Sequence, residues 1–235
     1  MSPLRQLRQS IRQQRREVTA AEAASCAEHL ARNTCSHRLL ANSHHIATYL
    51  AADGEIDPWP LTLKLWSSGK TLYLPVLAPF SRQRLWFARY MPGDQLVANR
   101  YGIPEPVVRD LVKPWALDLI LTPLVAFDTT GHRIGMGGGY YDRSLAFLHS
   151  RQHWLKPRRL GLAYEFQKQA AIKPSPWDIP LDGIATEARI YTADHYRPAI
   201  TLSHQRESQG EGSKKLMPDF IPPLPGLLPK EEGTP

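Results

Sequence analysis

The chain has 235 residues and a hydrophobic content of 42%, which suits a globular domain with a substantial core. Its two cysteines, Cys26 and Cys35, exclude a disulfide framework, and no apolar run approaches the roughly 20 residues that a membrane helix needs. The N-terminus lacks the apolar stretch of a secretory signal, so we expect a cytoplasmic protein without a membrane partner. The net charge of +7 favours anionic partners such as nucleotides, polyglutamates or nucleic acid.

The first predicted element is an amphipathic helix over residues 3–17. Its arginines share one arc of about 100°, beside an apolar edge that would dock the helix. We call these arginines the arginine stripe: Arg5, Arg8, Arg12, Arg15 and Arg16. The stripe is typical of a solvated helix face, but one or two of its arginines could instead reach a phosphate chain.

Strands and helices alternate along the next part of the chain. Thr19 and Glu22 have the spacing of a capping box, which predicts a second helix from Ala20 to about Cys35. The later predicted elements are strands at 45–50, 71–76, 85–90, 117–127, 159–166 and 184–191, and helices at 58–68 and 141–150. This alternation predicts an α/β fold, specifically a three-layer α/β/α sandwich with a central, mostly parallel sheet.

The composition changes near the C-terminus. We expect residues 1–195 to form one catalytic domain. Residues 196–235 become polar and then proline-rich, with little hydrophobic periodicity. This composition predicts a disordered tail.

The most informative segment is residues 131–143. Four of the five positions from Gly135 to Gly139 are glycine, and Tyr140, Tyr141, Asp142 and Arg143 follow directly. Glycine lets the backbone approach a ligand and adopt positive φ, and successive N–H groups can form an anion nest. Placed between a strand and a helix, this loop predicts a phosphate site at the positive end of the helix dipole. The alternative is a glycine-rich surface turn without a ligand.

The loop differs from the two common nucleotide signatures. A Walker loop ends in Gly-Lys-Ser/Thr, whereas these glycines lead into Tyr140. The dinucleotide fingerprint requires an acid roughly 20 residues further on, and Asp142 comes too early. The loop alone therefore does not identify the ligand.

A family pattern extends over roughly residues 4–192. It combines the arginine-rich first helix, leading into residues 16–22, with residues 49–56, 121–128, 133–143 and 177–181. In these segments the chain resembles the 5-formyltetrahydrofolate cyclo-ligases, also called 5,10-methenyltetrahydrofolate synthetases. The glycine–tyrosine–aspartate block is the specific part of the resemblance.

The resemblance implies a reaction that uses ATP and Mg²⁺. Such an enzyme converts 5-formyltetrahydrofolate, with or without a polyglutamate tail, to 5,10-methenyltetrahydrofolate and releases ADP and phosphate. The formyl oxygen is a poor leaving group, so it is phosphorylated first, and folate N10 then closes the ring and expels phosphate. The protein mainly positions two substrates and neutralises phosphate charge, and no single catalytic residue is assigned.

The resemblance also implies binding roles for individual residues. ATP would be bound by Arg5, Arg8, Arg133, Ile134, Gly135, Met136, Gly137, Gly138, Gly139, Tyr140 and Tyr141. The folate would be bound by Leu50, Glu55, Met136, Gly137, Gly138, Gly139 and Tyr140, with Glu55 accepting hydrogen bonds from the donor-rich pterin edge. Asp142 and Asp178 would bind Mg²⁺, directly or through water.

The residues by themselves leave simpler roles open. Asp142 could complement a helix dipole, and Asp178 could be an ordinary turn acid. Glu55 could lie on the surface, Leu50 in the core, and Tyr141 could serve packing alone. The chain also departs from the family pattern: Leu4 stands where many relatives carry a lysine that Arg5 would have to replace, and Met136 and Gly138 stand where others often have a basic residue.

Two other classes of protein remain as alternatives. The positive charge and the arginine stripe favour a nucleic-acid-binding protein, although no usual recognition motif is present. A sugar-phosphate or acyl-transfer enzyme on a similar α/β scaffold would share the fold. We expect a monomer without a nucleic-acid partner.

Overall fold

The computed structural model describes residues 2–78, 80–99, 102–108, 110–150 and 156–193, so the predicted tail at 196–235 lies outside the described residues. The helices are α1 (Pro3–Glu17), α2 (Ala20–Thr34), α3 (Arg38–Ala41), α4 (Trp59–Ser67), α5 (Tyr140–Leu145) and α6 (Phe147–Ser150). The strands are β1 (His45–Ala47), β2 (Thr71–Ala78), β3 (Ser81–Tyr90), β4 (Leu96–Ala98), β5 (Pro104–Pro106), β6 (Leu111–Val112), β7 (Leu119–Pro123), β8 (Ala126–Phe127), β9 (Arg133–Ile134), β10 (Arg158–Leu162), β11 (Gly183–Ala185) and β12 (Ile190–Thr192).

Eight strands form a central sheet in the order β12-β11-β10-β7-β1-β2-β3-β6. The five strands from β11 to β2 are parallel, and antiparallel strands lie at both edges. The parallel strands occur in the chain as β1, β2, β7, β10 and β11, so the strand order reverses between β1 and β7. Ligands of open α/β sheets bind at this reversal, beyond the carboxyl ends of the strands.

Both faces of the sheet are covered, which confirms the predicted three-layer sandwich. Ile46 of β1 pairs with Leu72 and Leu119, and these side chains join the core formed with α2 and α4. The next residues, Ala47 and Ile120, belong to a second core formed with α5 and α6. Successive side chains of a strand point to opposite faces, so the central strands are apolar at consecutive positions.

Helix α1 packs over the segments that follow β7. Its buried Ile11 contacts a small core that contains Val125, Ala126 and Ile134. The predicted capping box then starts α2: Glu22 N donates to Thr19 Oγ1 over 3.3 Å, and Thr19 N donates to Glu22 Oε2 over 2.9 Å. Among the described residues, no helix is both long and apolar enough to cross a membrane.

Three predicted elements are interrupted in the structure. The predicted strand at 117–127 is divided into β7 and β8, and the Leu124 and Val125 carbonyls between them accept hydrogen bonds from buried Gln167 instead of a neighbouring strand. The predicted strand at 184–191 is the β11–β12 hairpin, whose turn is closed by hydrogen bonds to Thr186 Oγ1. The predicted helix at 141–150 is two short helices, α5 and α6.

Candidate active site

Two adjoining cavities lie where the loops after β1 and β7 meet. The apolar cavity has a volume of about 390 Å³, and the charged cavity has a volume of about 590 Å³. The two cavities share the side chains or backbone of Arg133, Gly135, Gly139 and Asp142 as lining. Two ligands bound in these cavities would therefore meet across the glycine-rich loop.

The backbone of this loop requires glycine at specific positions. Gly137 and Gly139 have φ values of +101° and +61°, in the left-handed region that favours glycine. A Cβ on Gly139 would lie 2.6 Å from Arg143 Nη1, and a Cβ on Gly138 would lie 2.9 Å from the Tyr140 ring. The loop is therefore packed against its own following helix.

Arg143, in helix α5, contacts both the glycine-rich loop and strand β3. Its Nε donates to Gln83 O over 3.0 Å, its Nη2 donates to Gly138 O, and its guanidinium lies 5.5 Å from the centre of the Tyr140 ring. Arg143 thus links the loop to strand β3.

The helix after the loop is too short to give the helix-dipole attraction for phosphate that the sequence predicted. Helix α5 has six residues and no side-chain cap, and its N-cap Gly139 is left-handed. Such a helix has few aligned peptides to contribute to a dipole. Attraction for an anion must therefore come mainly from the loop amides and the nearby arginines.

Two arginines bring positive charge to the charged cavity. Arg8 of α1 donates from Nε to Gly135 O over 2.8 Å, and it lies across Gly137. Arg133 is nearly buried, with 7% of its side chain exposed, and donates from Nη2 to Asp142 Oδ1 over 2.6 Å. Arg8 is thus held at the loop by a neutral carbonyl, whereas the charge of Arg133 is partly balanced by Asp142.

The two predicted metal ligands line the same cavity. Asp142 Oδ1 also accepts from Ile179 N over 3.2 Å, and Asp178 Oδ2 accepts from Ser175 N over 2.8 Å. The described residues contain no cluster of three or more His, Cys, Asp or Glu side chains suited to a metal. Two carboxylates fit Mg²⁺ nonetheless, because this ion usually takes one or two carboxylates and completes its shell with phosphate oxygens and water.

The apolar cavity has two acidic residues at the turn after β1, Asp53 and Glu55. Glu55 Oε2 accepts from Ala52 N over 3.2 Å, and burial raises the pKa of Glu55 to about 7. Tyr141 lines the same cavity, and burial raises its pKa well above the usual value for a tyrosine. Most of the remaining lining is apolar and includes Leu50, Leu74, Leu77, Leu85, Ile103 and Met136. This cavity suits a largely apolar ligand with hydrogen-bond donors near Glu55.

Sequence comparisons agree on one family. The profile of the 5-formyltetrahydrofolate cyclo-ligase family matches residues 2–187. The 5-formyltetrahydrofolate cyclo-ligase of Escherichia coli K12 is 40% identical over 183 residues, which cover 77% of this chain and 98% of the relative. The 5-formyltetrahydrofolate cyclo-ligase of Haemophilus influenzae is 37% identical over 180 residues, which cover 75% of this chain and 93% of the relative. The chain belongs to the 5-formyltetrahydrofolate cyclo-ligase family.

Solved structures of the family have the same fold. The NMR structure of Aquifex aeolicus 5,10-methenyltetrahydrofolate synthetase matches with a TM-score of 0.70 and 29% identity, over 87% of this chain and all (100%) of that chain. A 5,10-methenyltetrahydrofolate synthetase from Mycoplasma pneumoniae matches with a TM-score of 0.59 and 23% identity, over 79% of this chain and 99% of that chain, which supports the fold alone.

The residues predicted to bind ATP divide between the two cavities. Those lining the charged cavity are Arg8, Arg133, Ile134, Gly135, Gly137 and Gly139. Those lining the apolar cavity are Arg133, Gly135, Met136, Gly138, Gly139, Tyr140 and Tyr141. Arg5 is an exposed residue of α1 that lines neither cavity. The structure therefore brings the predicted nucleotide loop to the site but does not bring Arg5 with it.

The residues predicted to bind folate lie together with one exception. The apolar cavity is lined by Leu50, Glu55, Met136, Gly138, Gly139 and Tyr140. Gly137 lines the charged cavity only. Leu4, where the family resemblance led us to expect a lysine, is about half exposed (49%) and lines the charged cavity.

The β4–β5 hairpin contributes a wall that the sequence prediction missed. Ile103, Pro104 and Glu105 line the apolar cavity, and Glu105 Oε1 accepts from Leu77 N over 3.1 Å and from Asn99 Nδ2 over 2.8 Å. The prolines of this segment predicted only a loop, and nothing in their spacing indicates that the hairpin folds over a cavity.

Proposed function

We propose that this chain catalyses the ATP- and Mg²⁺-dependent conversion of 5-formyltetrahydrofolate to 5,10-methenyltetrahydrofolate, with release of ADP and phosphate. Membership of the cyclo-ligase family supports the overall conversion. The observation that carries the ATP-dependent mechanism is the shared lining of the two cavities at Gly135 and Gly139. A phosphoryl group can pass from one substrate to the other only where the two bind side by side.

The apolar cavity would hold the folate. The ionised carboxylate of Glu55 would accept hydrogen bonds from the N–H donors at the pterin edge, while Leu50 and Met136 would contact the rings. Tyr140 would lie near the N5-formyl group, because it follows Gly139, which lines both cavities. Folate bound in this orientation presents its formyl oxygen toward the nucleotide.

The charged cavity would hold the triphosphate. The loop amides and Arg8 would bind its oxygens, and Arg133 would add charge at the wall between the cavities. Asp142 and Asp178 would hold Mg²⁺, which supplies charge neutralisation at the phosphates. The residues of this cavity thus bind and orient the phosphates rather than react with them.

The reaction requires no protein nucleophile. Transfer of the γ-phosphoryl group to the formyl oxygen gives ADP and an N5-iminium phosphate. The N10 lone pair then attacks the formyl carbon, N10 loses its proton, the carbon–oxygen bond breaks, and phosphate leaves. Holding both substrates in this arrangement is the main contribution of the protein.

Turnover by purified protein tests the proposal. Protein incubated with 5-formyltetrahydrofolate, ATP and Mg²⁺ should produce the methenyl compound, followed by its absorbance, together with one ADP for each product. Omission of ATP, or addition of a chelator, should stop the reaction. The absence of product under all conditions would refute the proposal and return attention to the sugar-phosphate and acyl-transfer alternatives.

Several properties of the proposed enzyme stay predictions. They are its cytoplasmic location, a monomeric state, acceptance of polyglutamylated folate and the lack of a nucleic-acid partner. The alternative of nucleic-acid binding rested on the arginine stripe, and Arg12, Arg15 and Arg16 of that stripe are bonded to Asp53. These three side chains are already engaged within the protein, which weakens the argument for a basic surface that binds RNA.

A further inference from the structure

Asp53, in the turn after β1, is bonded by three arginines of α1. Arg12 Nε donates to Asp53 Oδ2 over 2.6 Å, Arg15 Nη2 donates to the same oxygen over 3.0 Å, and Arg16 Nη2 donates to Oδ1 over 2.9 Å. The hydrogen bond from Arg12 is the largest cause that lowers the pKa of Asp53 to about 2. We call Asp53 and these three side chains the arginine clamp.

The clamp holds a turn whose backbone is costly to form. Asp53 and Gly54 have φ values of +51° and +71°, and Glu55 N donates to Ala52 O over 3.0 Å across them. Two consecutive positive φ angles are what a type I′ turn requires, and an Asp-Gly pair favours it. The Glu55 carboxylate folds back on the Ala52 N–H of the same turn. The position of Glu55 therefore depends on the position of the turn.

Arg15 connects this turn, which follows β1, to the segment that follows β7, the neighbouring strand at the point where the strand order reverses. Its side chain is fully buried, its Nη2 donates to Asp53 O over 2.8 Å, and its Nη1 lies 3.4 Å from Leu124 O. A Cβ on Gly54 would lie 3.0 Å from the Arg15 carbonyl oxygen, so the turn packs directly on the backbone of α1. The turn after β1 and the segment after β7 are thus held by one side chain.

We propose that Asp53 is a positioning residue for folate binding: through the arginine clamp it fixes the turn that presents Glu55 to the apolar cavity. This inference rests on the proposed function, because it assigns the apolar cavity to the folate. Asp53 itself lines the apolar cavity, but both of its carboxylate oxygens are bonded by arginines of the clamp. It would therefore act through Glu55, without being needed for phosphoryl transfer. Its loss should therefore weaken folate binding much more than ATP binding.

The test is the Asp53→Asn variant, which removes the charge but keeps a residue that tolerates left-handed backbone. We expect the KM for 5-formyltetrahydrofolate to rise about 10-fold, while the KM for ATP and kcat change less than about 2-fold, because a charge-assisted hydrogen bond is lost on the folate side alone. The matched control is Asp94→Asn. Asp94 is another aspartate in a turn, but its carboxylate accepts from the backbone, at Met91 N over 2.7 Å, and it lines neither cavity.

A purely structural role for Asp53 would give a different pattern. The proposal would be overturned by a lower Tm together with equal increases in the KM values for ATP and for folate. An unchanged KM for folate in a folded variant would overturn it as well. Arg12→Gln is the second variant in case Asp53→Asn does not fold, and it should raise the folate KM by a smaller factor in the same direction.

Equilibrium binding separates failure of this inference from failure of the proposed function. The dissociation constant of 5-formyltetrahydrofolate is measured by calorimetry without ATP for the wild type and both variants. If the wild type binds folate but does not turn it over, the proposed reaction fails, and an Asp53→Asn variant with about 10-fold weaker binding still supports the positioning role. If the wild type does not bind the folate, both are overturned.

Discussion

The Arg133 guanidinium donates to Asp142 Oδ1 over 2.6 Å, and both residues line both cavities. Arg133 also donates to Ile179 O, and Ile179 N donates to the same Asp142 oxygen. The glycine-rich loop, helix α5 and the segment at 177–180 are therefore joined in one ring of hydrogen bonds. This ring orients the Asp142 carboxylate at the wall between the proposed substrates.

The first prediction concerns this carboxylate. Asp142→Ala should reduce turnover by about 100-fold or more, because a carboxylate that would hold Mg²⁺ at the phosphates is lost, and it should have a smaller effect on folding. Asp142→Asn, which can keep the hydrogen bonds from Arg133, should lose similar activity with little change in Tm. Steady-state kinetics and thermal unfolding of both variants check this. A Tm that collapses in step with activity in both variants would instead favour a structural role for Asp142.

The second prediction concerns the pH dependence of Glu55. Burial raises its pKa in the folded protein from 4.5 to about 7. The folded state then holds the proton more tightly than the unfolded chain, so the free energy of unfolding falls as the pH rises from about 4.5 to about 7. Glu55→Gln should have nearly wild-type stability near the low end of this range, and should exceed the wild type by at most about 3 kcal/mol at pH 8.

Denaturant unfolding at several pH values measures this difference. Folate binding should instead strengthen as the pH rises, because the ionised Glu55 carboxylate accepts hydrogen bonds from the pterin N–H groups. Binding below pH 7 should therefore release protons, which titrations in buffers of different ionisation enthalpy detect. A raised pKa of Glu55 would be contradicted if the difference in unfolding free energy between Glu55→Gln and the wild type did not vary with pH and folate binding released no protons.

The third prediction concerns the loop backbone. Gly139→Ala places a Cβ against the Arg143 guanidinium at a φ of +61°, so the Arg143 side chain must move away from the loop that it holds, and the backbone is strained. We expect the KM for ATP to rise about 10-fold, as loop amides and phosphate lose their alignment. Gly93→Ala is the matched control: it has a φ of +86° and no atom within 4 Å of its added Cβ, and it lines neither cavity. Equal effects of the two substitutions on ATP binding would show that only general backbone strain was measured.

The fourth prediction concerns the C-terminal segment. A chain without residues 205–235 should keep nearly all of its kcat and KM values, because the two cavities are lined by residues before 180. Kinetics of the truncated and full-length chains compare these constants. A large loss of kcat in the truncated chain would mean that the segment contributes to the site.

Most of the residues predicted to bind a substrate or metal line one of the two cavities, because their patterns are local. The glycines with the following Tyr140 and Asp142, and the Asp-Gly turn before Glu55, each lie within a few residues, and the sheet brings these segments together beyond its strand ends. The role of Asp53 was missed because its partners lie 37 to 41 residues away in the chain. A helical stripe shows which residues share a face, but it does not show what that face meets.

Other differences have similar physical causes. A continuous apolar run does not show where a strand is interrupted, because a distant side chain can bond the backbone at the break. Gln167 does this at the break between β7 and β8. Proline at both ends of β5 predicted a loop, so the hairpin that lines the apolar cavity was not predicted. Local propensity therefore predicted the layers and the loops, whereas long-range side-chain contacts decided where elements end.

Calorimetric titration of the purified protein tests the central claim most directly. We expect saturable binding of 5-formyltetrahydrofolate alone and of ADP with Mg²⁺ alone, and we expect each to bind when the other is already present, because the two occupy separate cavities with a common wall. No binding of either compound, or mutual exclusion of the two, would contradict the account.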